Sequence, residues 1–534
     1  MTFKRQPRNP LFGNAEIGTA YDVYVTQTDK KYRLDSSWRK ESFLKMLKNK
    51  LCEYVKSFNE RDDELYKNEI DNAGAQGWLI SHAPRFECPD ESIERTFYFR
   101  LWTYRKHIKK TPDGYIISEF LPDVPWAGPY NIINAAAGHH IYEGRWLRGC
   151  ESILADYLNY FLEHDAESHR YSTWILDAAT KLERVKGKSL FAGKLDKMLH
   201  YYRVWEETHG TAAGLFWSYD GRDAMEFSIS GTKNMGQVKG TRPTLNSYMY
   251  AEAKAIARFA RQENRPDVAE AFEKKAEEIK EKINTALWCG DFYKPLHGDT
   301  DADVDRAFDA HDFSDVPREE IGYIPWMFGI PPKERNMAFR YLTDKTCFLS
   351  PVGYTTADMS DPRFLFKADH ECLWNGYVWP FATSETLTAL YTSMRDDKTL
   401  VPIFIEGLKL YADSHVLYEN GNTVPWIDEV MSPTEKTWTS REILKDLGWQ
   451  KELGGKERGK DYNHSTFIDL VISGLVGVNA DKDTLEIEPA IPDGWDYFRL
   501  ENLEYRGKLY TVTYDKNGDR YGRGKGIVIT SEEL

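Results

Sequence analysis

Residues 242–264 read RPTLNSYMYAEAKAIARFARQEN, and this stretch sets the fold class. Leu245, Met249, Ala253, Ile256 and Ala260 recur at helical spacing and form one apolar face, with Thr244 placed to cap the start. The same pattern recurs at Glu91 to Ile108, Tyr130 to Trp146, Glu151 to Leu162, Pro266 to Leu287, Tyr377 to Ser393, Ile403 to Tyr418 and Ser465 to Val478. Several of these stretches begin after Pro or Gly, and the connections between them hold Trp, Asp and Glu. The pattern predicts a mainly α scaffold that carries its function on loops.

After Val478 the period changes. TLEIEPAIPDGWDYFRLENLEYRGKLYTVTYDKNG alternates apolar and polar residues and has turn signals at Asp493-Gly494 and Asn517-Gly518, which predicts a small C-terminal β element. The first 80 residues or so are mixed, with one helix expected over Lys40 to Phe58. The chain therefore divides into an N-terminal segment 1–80 packing on the main domain, a helical domain 81–478 and a β appendage 479–534.

Composition narrows the function. The 534 residues carry a net charge of −14, with Lys and Arg scattered rather than clustered; the electrostatic footprint of a nucleic-acid-binding protein is missing. No stretch of about 18 apolar residues occurs, and MTFKRQPRNPLFG at the N-terminus has no apolar core of a signal peptide. We expect a soluble protein with no membrane partner, periplasmic if a bacterial leader has been removed and otherwise cytoplasmic. Six cysteines (Cys52, Cys88, Cys150, Cys289, Cys347, Cys372) are far apart, without a CxxC pair, and read as mostly buried free thiols. The 16 Trp, 32 Tyr and 26 Phe make up 14% of the chain, many of them in polar company. Rings beside carboxylates and amides suit sugars, whose C–H faces stack on aromatics while their hydroxyls need polar partners; a large core rich in rings would give the same count.

Trp, Gly and carboxylates concentrate in four places: LPDVPWAGPYN with EGRW after it, GLFWSYDGRDAMEFSISG (214–231), ECLWNGYVWPFATSE and NTVPWIDEVMSP. Cleaving a glycoside requires one carboxylic acid to protonate the departing oxygen and one carboxylate to attack or to activate water. The ordered set AMEFSISG, RPTLN, EEIGYIPWMFGIPP, LWNGYVWPFATSETLTAL, WIDEVMSP and HSTFIDLVISGLVGV resembles the inverting glycosidases of the trehalase, family 63 glucosidase and mannosylglycerate hydrolase group, over roughly Asp90 to Val478. The resemblance implies an (α/α)6 toroid of the six-hairpin glycosidase type and a hydrolase that uses no cofactor.

In that group the acid is an Asp following an apolar or aromatic residue, in segments such as GWDFSS. The register that superimposes Met225-Glu226-Phe227-Ser228 carries the role to Glu226, a departure from Asp, and a register three residues earlier selects Asp223. The base corresponds to Glu429 in DEVMSP, with Asp428 as its neighbour if the loop shifts by one. WNGYVWP resembles the group's sugar-binding turn, which implies that Trp374, Asn375, Gly376 and Trp379 line the pocket. Trp217 joins Tyr219 and Phe227 as rings able to desolvate Glu226 and raise its pKa. Trp126, Arg145 and Trp146 are further candidates for substrate contacts.

The expected activity is an exo-acting, inverting glycosidase that removes a terminal glucoside- or mannoside-like sugar from an oligosaccharide. Two alternatives stay open: a lyase or epimerase on the same scaffold, for which His139-His140 and His370-Glu371 could move protons, and a silent sugar-binding protein. No metal site is expected. Asp299, Asp301, Asp303 and Asp305 alternate as in a calcium loop, but Arg306 stands where an EF-hand needs Gly, so the loop reads as solvated and calcium as a minor alternative.

Overall fold

The computed structural model describes residues 23–25, 37–298, 312–419 and 421–534. The acidic loop at Asp299, Asp301, Asp303 and Asp305 lies outside the described residues.

Among the described residues, helices alternate between an inner and an outer ring. The inner ring runs Ala137–Gly144, Ile175–Lys186, Pro243–Gln262, Ile324–Met327, Pro380–Met394 and Phe467–Asp469, the last continuing as a π-helix over Leu470–Leu475. Each packs on the next, and the last returns to pack on the first, which closes the ring. Between them in sequence come the outer helices Glu91–Lys106, Glu151–Glu163, Leu195–His209, Pro266–Ala286, the 3₁₀ helix Lys333–Thr343, and Val401–Ser414. This is the (α/α)6 toroid, with six outer–inner hairpins.

Burial separates the two rings as the sequence pattern requires. Pro243–Gln262 is buried on nearly every side, whereas Pro266–Ala286 buries only Ala269, Ala276, Ile279, Ile283 and Ala286, a single apolar stripe. Pro stands in the first turn of five of these helices, where its missing N–H costs nothing. Arg242 rather than Thr244 is the cap residue of the helix at 243–262, because Pro243 already starts it. The helix expected from Tyr130 begins only at Ala137: Tyr130 and Asn131 have φ of 60° and 66°, which breaks the preceding turn.

The C-terminal β element is a five-stranded antiparallel sheet in the order Val23–Val25, Gly526–Glu533, Lys508–Asp515, Tyr497–Tyr505, Arg85–Glu87. It thus recruits one strand from the N-terminal segment and one from the start of the helical domain. All six cysteines are free, three of them buried. No described helix is long and apolar enough to cross a membrane.

Candidate active site

One cavity of about 280 Å³ opens where the inner helices begin. Its walls come from the loops that precede those helices: Ile133 and Ala135, Tyr171, Ala224 and Glu226, His370 to Cys372 with Trp379, Glu429, and Arg458 to His464. The N-terminal ends of the ring, where backbone N–H groups lack intrahelical partners, therefore face the cavity and favour negative charge there.

The stretch 214–231 does not form a simple turn. Trp217–Ser218 pairs with Lys239–Thr241, a 3₁₀ turn follows at Asp220–Asp223, and Ala224 and Phe227 then take left-handed φ of 57° and 59°. Such residues cost on the order of 1–3 kcal/mol and persist where the surroundings hold them. Here they kink the chain on both sides of Met225-Glu226, so that Met225 is anchored in the core and Glu226 reaches the cavity. The Glu226 carbonyl accepts from the Trp374 N–H at 3.0 Å, which ties this loop to the next wall.

Asp223 faces the other way. Its Oδ1 accepts from Ser172 Oγ at 2.7 Å and Ser218 Oγ at 2.8 Å, and its Oδ2 from Arg242 Nε at 2.7 Å, all within the buried interior. Both oxygens are engaged, which makes Asp223 a structural ion-pair residue and corrects the reading of it as a candidate acid. Glu226, by contrast, has no ion-pair partner among the described residues, and removal from water, then Asp220, Glu429 and Glu119 nearby, push its carboxyl up to about 8.

Glu429 is buried against Arg458, whose Nε and Nη2 donate to Oε2 at 2.9 and 2.5 Å. Burial raises the Glu429 carboxyl to about 7, with the guanidinium opposing the rise. Arg458 Nη1 also donates to Glu371 Oε1 at 2.7 Å. Asp428 is turned into the loop, where its Oδ1 accepts from the Glu429 N–H at 2.9 Å and from Ser440 Oγ at 3.2 Å. Val378 and Met431 exchange backbone hydrogen bonds of 3.0 and 2.9 Å, so the loop of Glu429 is clamped to that of Trp379.

A sequence profile describing the mannosylglycerate hydrolase MGH1-like glycoside hydrolase domain matches residues 129–465, a span that holds most of the ring and the Glu226, Glu429 and Arg458 loops. The chain belongs to this family. As an MGH1-like glycoside hydrolase it carries a glycosidase domain on the (α/α)6 ring. Residues 478–530 match the C-terminal domain of glycosyl hydrolase family 65. A solved structure titled sialidase is similar at 35% identity with a TM-score of 0.80, covering 90% of this chain and 43% of that one. The chain thus spans less than half the length of that protein. The GH78 family rhamnosidase of Bacillus sp. GL1 shares the fold at 14% identity and a TM-score of 0.51, covering 81% of this chain and 40% of that one. An α-L-rhamnosidase from Dictyoglumus thermophilum does so at 11% identity and 0.50, covering 85% and 51%.

The remaining residues singled out in the sequence separate into three places. Trp126 and Trp379 line the cavity of this glycosidase domain, Trp126 lying 5.1 Å beneath the Arg458 guanidinium. Trp374, Asn375 and Gly376 stand behind that wall instead of lining it. Trp374 is buried and stacks on Trp379 at 4.4 Å, Asn375 Nδ2 donates to the Phe366 carbonyl at 2.7 Å, and Gly376 at φ 133° donates its N–H to Thr356 Oγ1 at 3.0 Å. Trp217 lies outside, stacked on His209 at 4.7 Å with Lys239 Nζ 3.9 Å above the ring. Arg145 and Trp146 are also corrected: both donate to Asp469 Oδ1, at 2.6 and 2.7 Å, where the inner helices end.

Several cavity residues escaped the sequence reading. Glu119 accepts from Tyr462 Oη at 3.3 Å and shares a hydrogen bond of 2.9 Å with His464 Nδ1, and burial pushes it up to about 8. Its only sequence signal was its place just before LPDVPWAG. Arg458 sits among charged loop residues without any marking pattern. The sequence offers Glu371 only beside His370, as a proton carrier for a lyase or epimerase, and Cys372 only as a free thiol, although both belong to the segment ECLWNGYVWPFATSE. His370 lines the cavity, whereas His139 is enclosed by Trp174, Phe381 and His464. Among the described residues no three His, Cys, Asp or Glu side chains cluster as a metal site.

Proposed function

We propose that the protein is an exo-acting, inverting glycosidase that removes a terminal neutral sugar, a glucoside or mannoside, from an oligosaccharide or glycoconjugate. Glu226 is the general acid and Glu429 the base that activates water. The observation that carries this is the unequal treatment of two carboxyl groups on one cavity. Glu226 is unpaired and desolvated, conditions that keep a proton on it at neutral pH, and Glu429 is held by a guanidinium that favours its ionised form. An acid and a base in one pocket are what hydrolysis with water attack requires.

Charge and size support the substrate class. The cavity's lining carries Glu119, Glu226, Glu371, Glu429 and Glu452 against Arg458 alone, and Arg458 is taken up by Glu371 and Glu429. Among the described residues no unpaired Lys or Arg lines this cavity to meet a carboxylate on the substrate, which favours a neutral sugar over a sialic or uronic acid. At about 280 Å³ the space is at the small end of ligand pockets and admits a chain end rather than a chain. Trp126 and Trp379 contribute aromatic surface to its lining.

Proton NMR of the first-formed anomer during hydrolysis of neutral aryl glucosides and mannosides tests the reading. The product is expected with configuration opposite to the substrate, and Glu226→Gln and Glu429→Gln are each expected to lose about 10³-fold or more in kcat. Retained configuration, an unsaturated product, or full activity in either variant defeats it.

A further inference from the structure

The barrel has a second mouth, where the inner helices end, and a larger cavity of about 520 Å³ opens there. Its walls are the C-terminal halves of Ile175–Lys186, Pro243–Gln262 and Pro380–Met394, the end of Ala137–Gly144, and the turns at Gly329 and Ala480. Lys181 and Arg184 come from the first of these helices, Lys254, Arg258 and Arg261 lie along one face of the second at spacings of four and three, and Arg395 and Arg145 complete the lining cations. The lining carboxylates are Asp177, Glu273 and Asp481.

Pairing uses up two of these acids, and the third, Asp177, accepts from Tyr142 Oη at 2.8 Å. Asp481 is shared by Lys181 at 2.6 Å, Arg395 at 3.6 Å and Arg184 at 3.9 Å. Glu273 takes Lys254 and Arg261, each at 2.6 Å. Arg145 pairs with Asp469 through Nη2 only; its Nε and Nη1 are buried without a hydrogen bond, although the residue is 2% exposed. Arg258 has no ion-pair partner among the described residues, and its Nε is buried and unbonded. Burial, then Arg184, push its guanidinium below the usual range.

Cations at helix C-termini complement the partial negative charge of the free carbonyls. That accounts for Arg184, which donates to the Asp481 carbonyl at 2.7 Å. It does not account for Arg258 or for Nη1 of Arg145, which meet no carbonyl. Guanidinium N–H groups without acceptors, in a charge-rich cavity, match the fork geometry of a phosphate. Tyr250, Tyr391 and Phe328 add ring surface on which a sugar can lie.

We infer that this C-terminal mouth is a second ligand site, separate from the hydrolytic cavity, for a phosphorylated small molecule of sugar-phosphate size, held by Arg258 and Arg145. Calorimetric titration of the full chain with glucose 6-phosphate, with glucose as the neutral control, tests it. Saturable binding is expected for the phosphate ester and none for glucose at about 10 mM, with inorganic phosphate competing. Arg258→Gln is expected to weaken binding about tenfold or more, and Arg258→Lys less, while both keep the wild-type kcat/KM on an aryl glycoside, which also shows that they fold. Absence of binding, equal binding of glucose, or unchanged affinity in Arg258→Gln overturns the site.

Discussion

Arg458 decides how Glu429 and Glu226 divide the work. Without it, two desolvated carboxyls on one cavity would both hold their protons. With it, the proposed base ionises near 7 while the proposed acid keeps its proton to about 8. The sign follows: activity falls below about 7 as Glu429 is protonated and above about 8 as Glu226 loses its proton, giving a narrow bell in kcat/KM against pH. Arg458→Gln removes the cation that favours the Glu429 carboxylate, so the acidic limb is expected to move upward and the maximum to fall about tenfold or more. A pH profile of the variant with an unmoved acidic limb would show that Arg458 serves only the fold. Glu226 also makes the fold pH-sensitive. Its folded form holds a proton that the unfolded chain has released, so stability declines as pH rises from the ordinary Glu value toward 8. Glu226→Gln is therefore expected to melt a few degrees higher than wild type near pH 8 and to show little difference near pH 4.

At the scale of elements, most helices were legible because each hairpin places a helix against the core with a recurring apolar face. The failures have local causes. Ile324–Met327 is a single turn followed by Gly329 at φ 66°, too brief for periodicity to register. Tyr130 and Asn131 look helical in composition but adopt left-handed backbone. Within the site, the order of the motifs led to Glu226, Glu429 and Trp379, and the Trp-rich VPWAG segment to Trp126, whereas Arg458 and Glu119 reach the cavity only through tertiary packing. Arg145 and Trp146 misled because an Arg beside a Trp suits a sugar and a buried ion pair equally, and only Asp469 distinguishes them. The WNGYVWP turn shows how an element supports a site without touching its contents. Gly376 sits at φ 133°, and a Cβ there would lie 2.3 Å from the Phe364 ring. Gly376→Ala is thus expected to displace the turn that holds Trp379, raising KM several-fold and lowering the melting temperature by a few degrees. Wild-type KM with unchanged melting would show that the turn tolerates the side chain.

At the scale of the whole molecule, the ring makes two mouths of different chemistry, an acidic one where helices begin and a basic one where they end. The terminal sheet is fastened to the ring where the inner helices end: the Arg506 N–H donates to the Val185 carbonyl at 2.7 Å. Its strand Tyr497–Tyr505 pairs with Arg85–Glu87, just ahead of the first outer helix, and Glu504 from that strand meets Lys186 Nζ at 2.7 Å. Lys186 closes the inner helix Ile175–Lys186 and also donates to the Leu147 carbonyl at 2.7 Å, and both charged groups are buried. Removing one partner of such a pair leaves the other charge uncompensated, at a cost of about 3–5 kcal/mol. Glu504→Gln is therefore expected to lower the denaturation midpoint clearly while kcat/KM of the folded fraction stays at the wild-type value, since the residue lies away from the hydrolytic cavity. Equilibrium unfolding followed by tryptophan fluorescence reads the result. A single cooperative transition shifted to lower denaturant would mean that sheet and ring unfold together. An unshifted midpoint, or a separate early transition that leaves the ring untouched, would mean that the sheet is a detachable appendage.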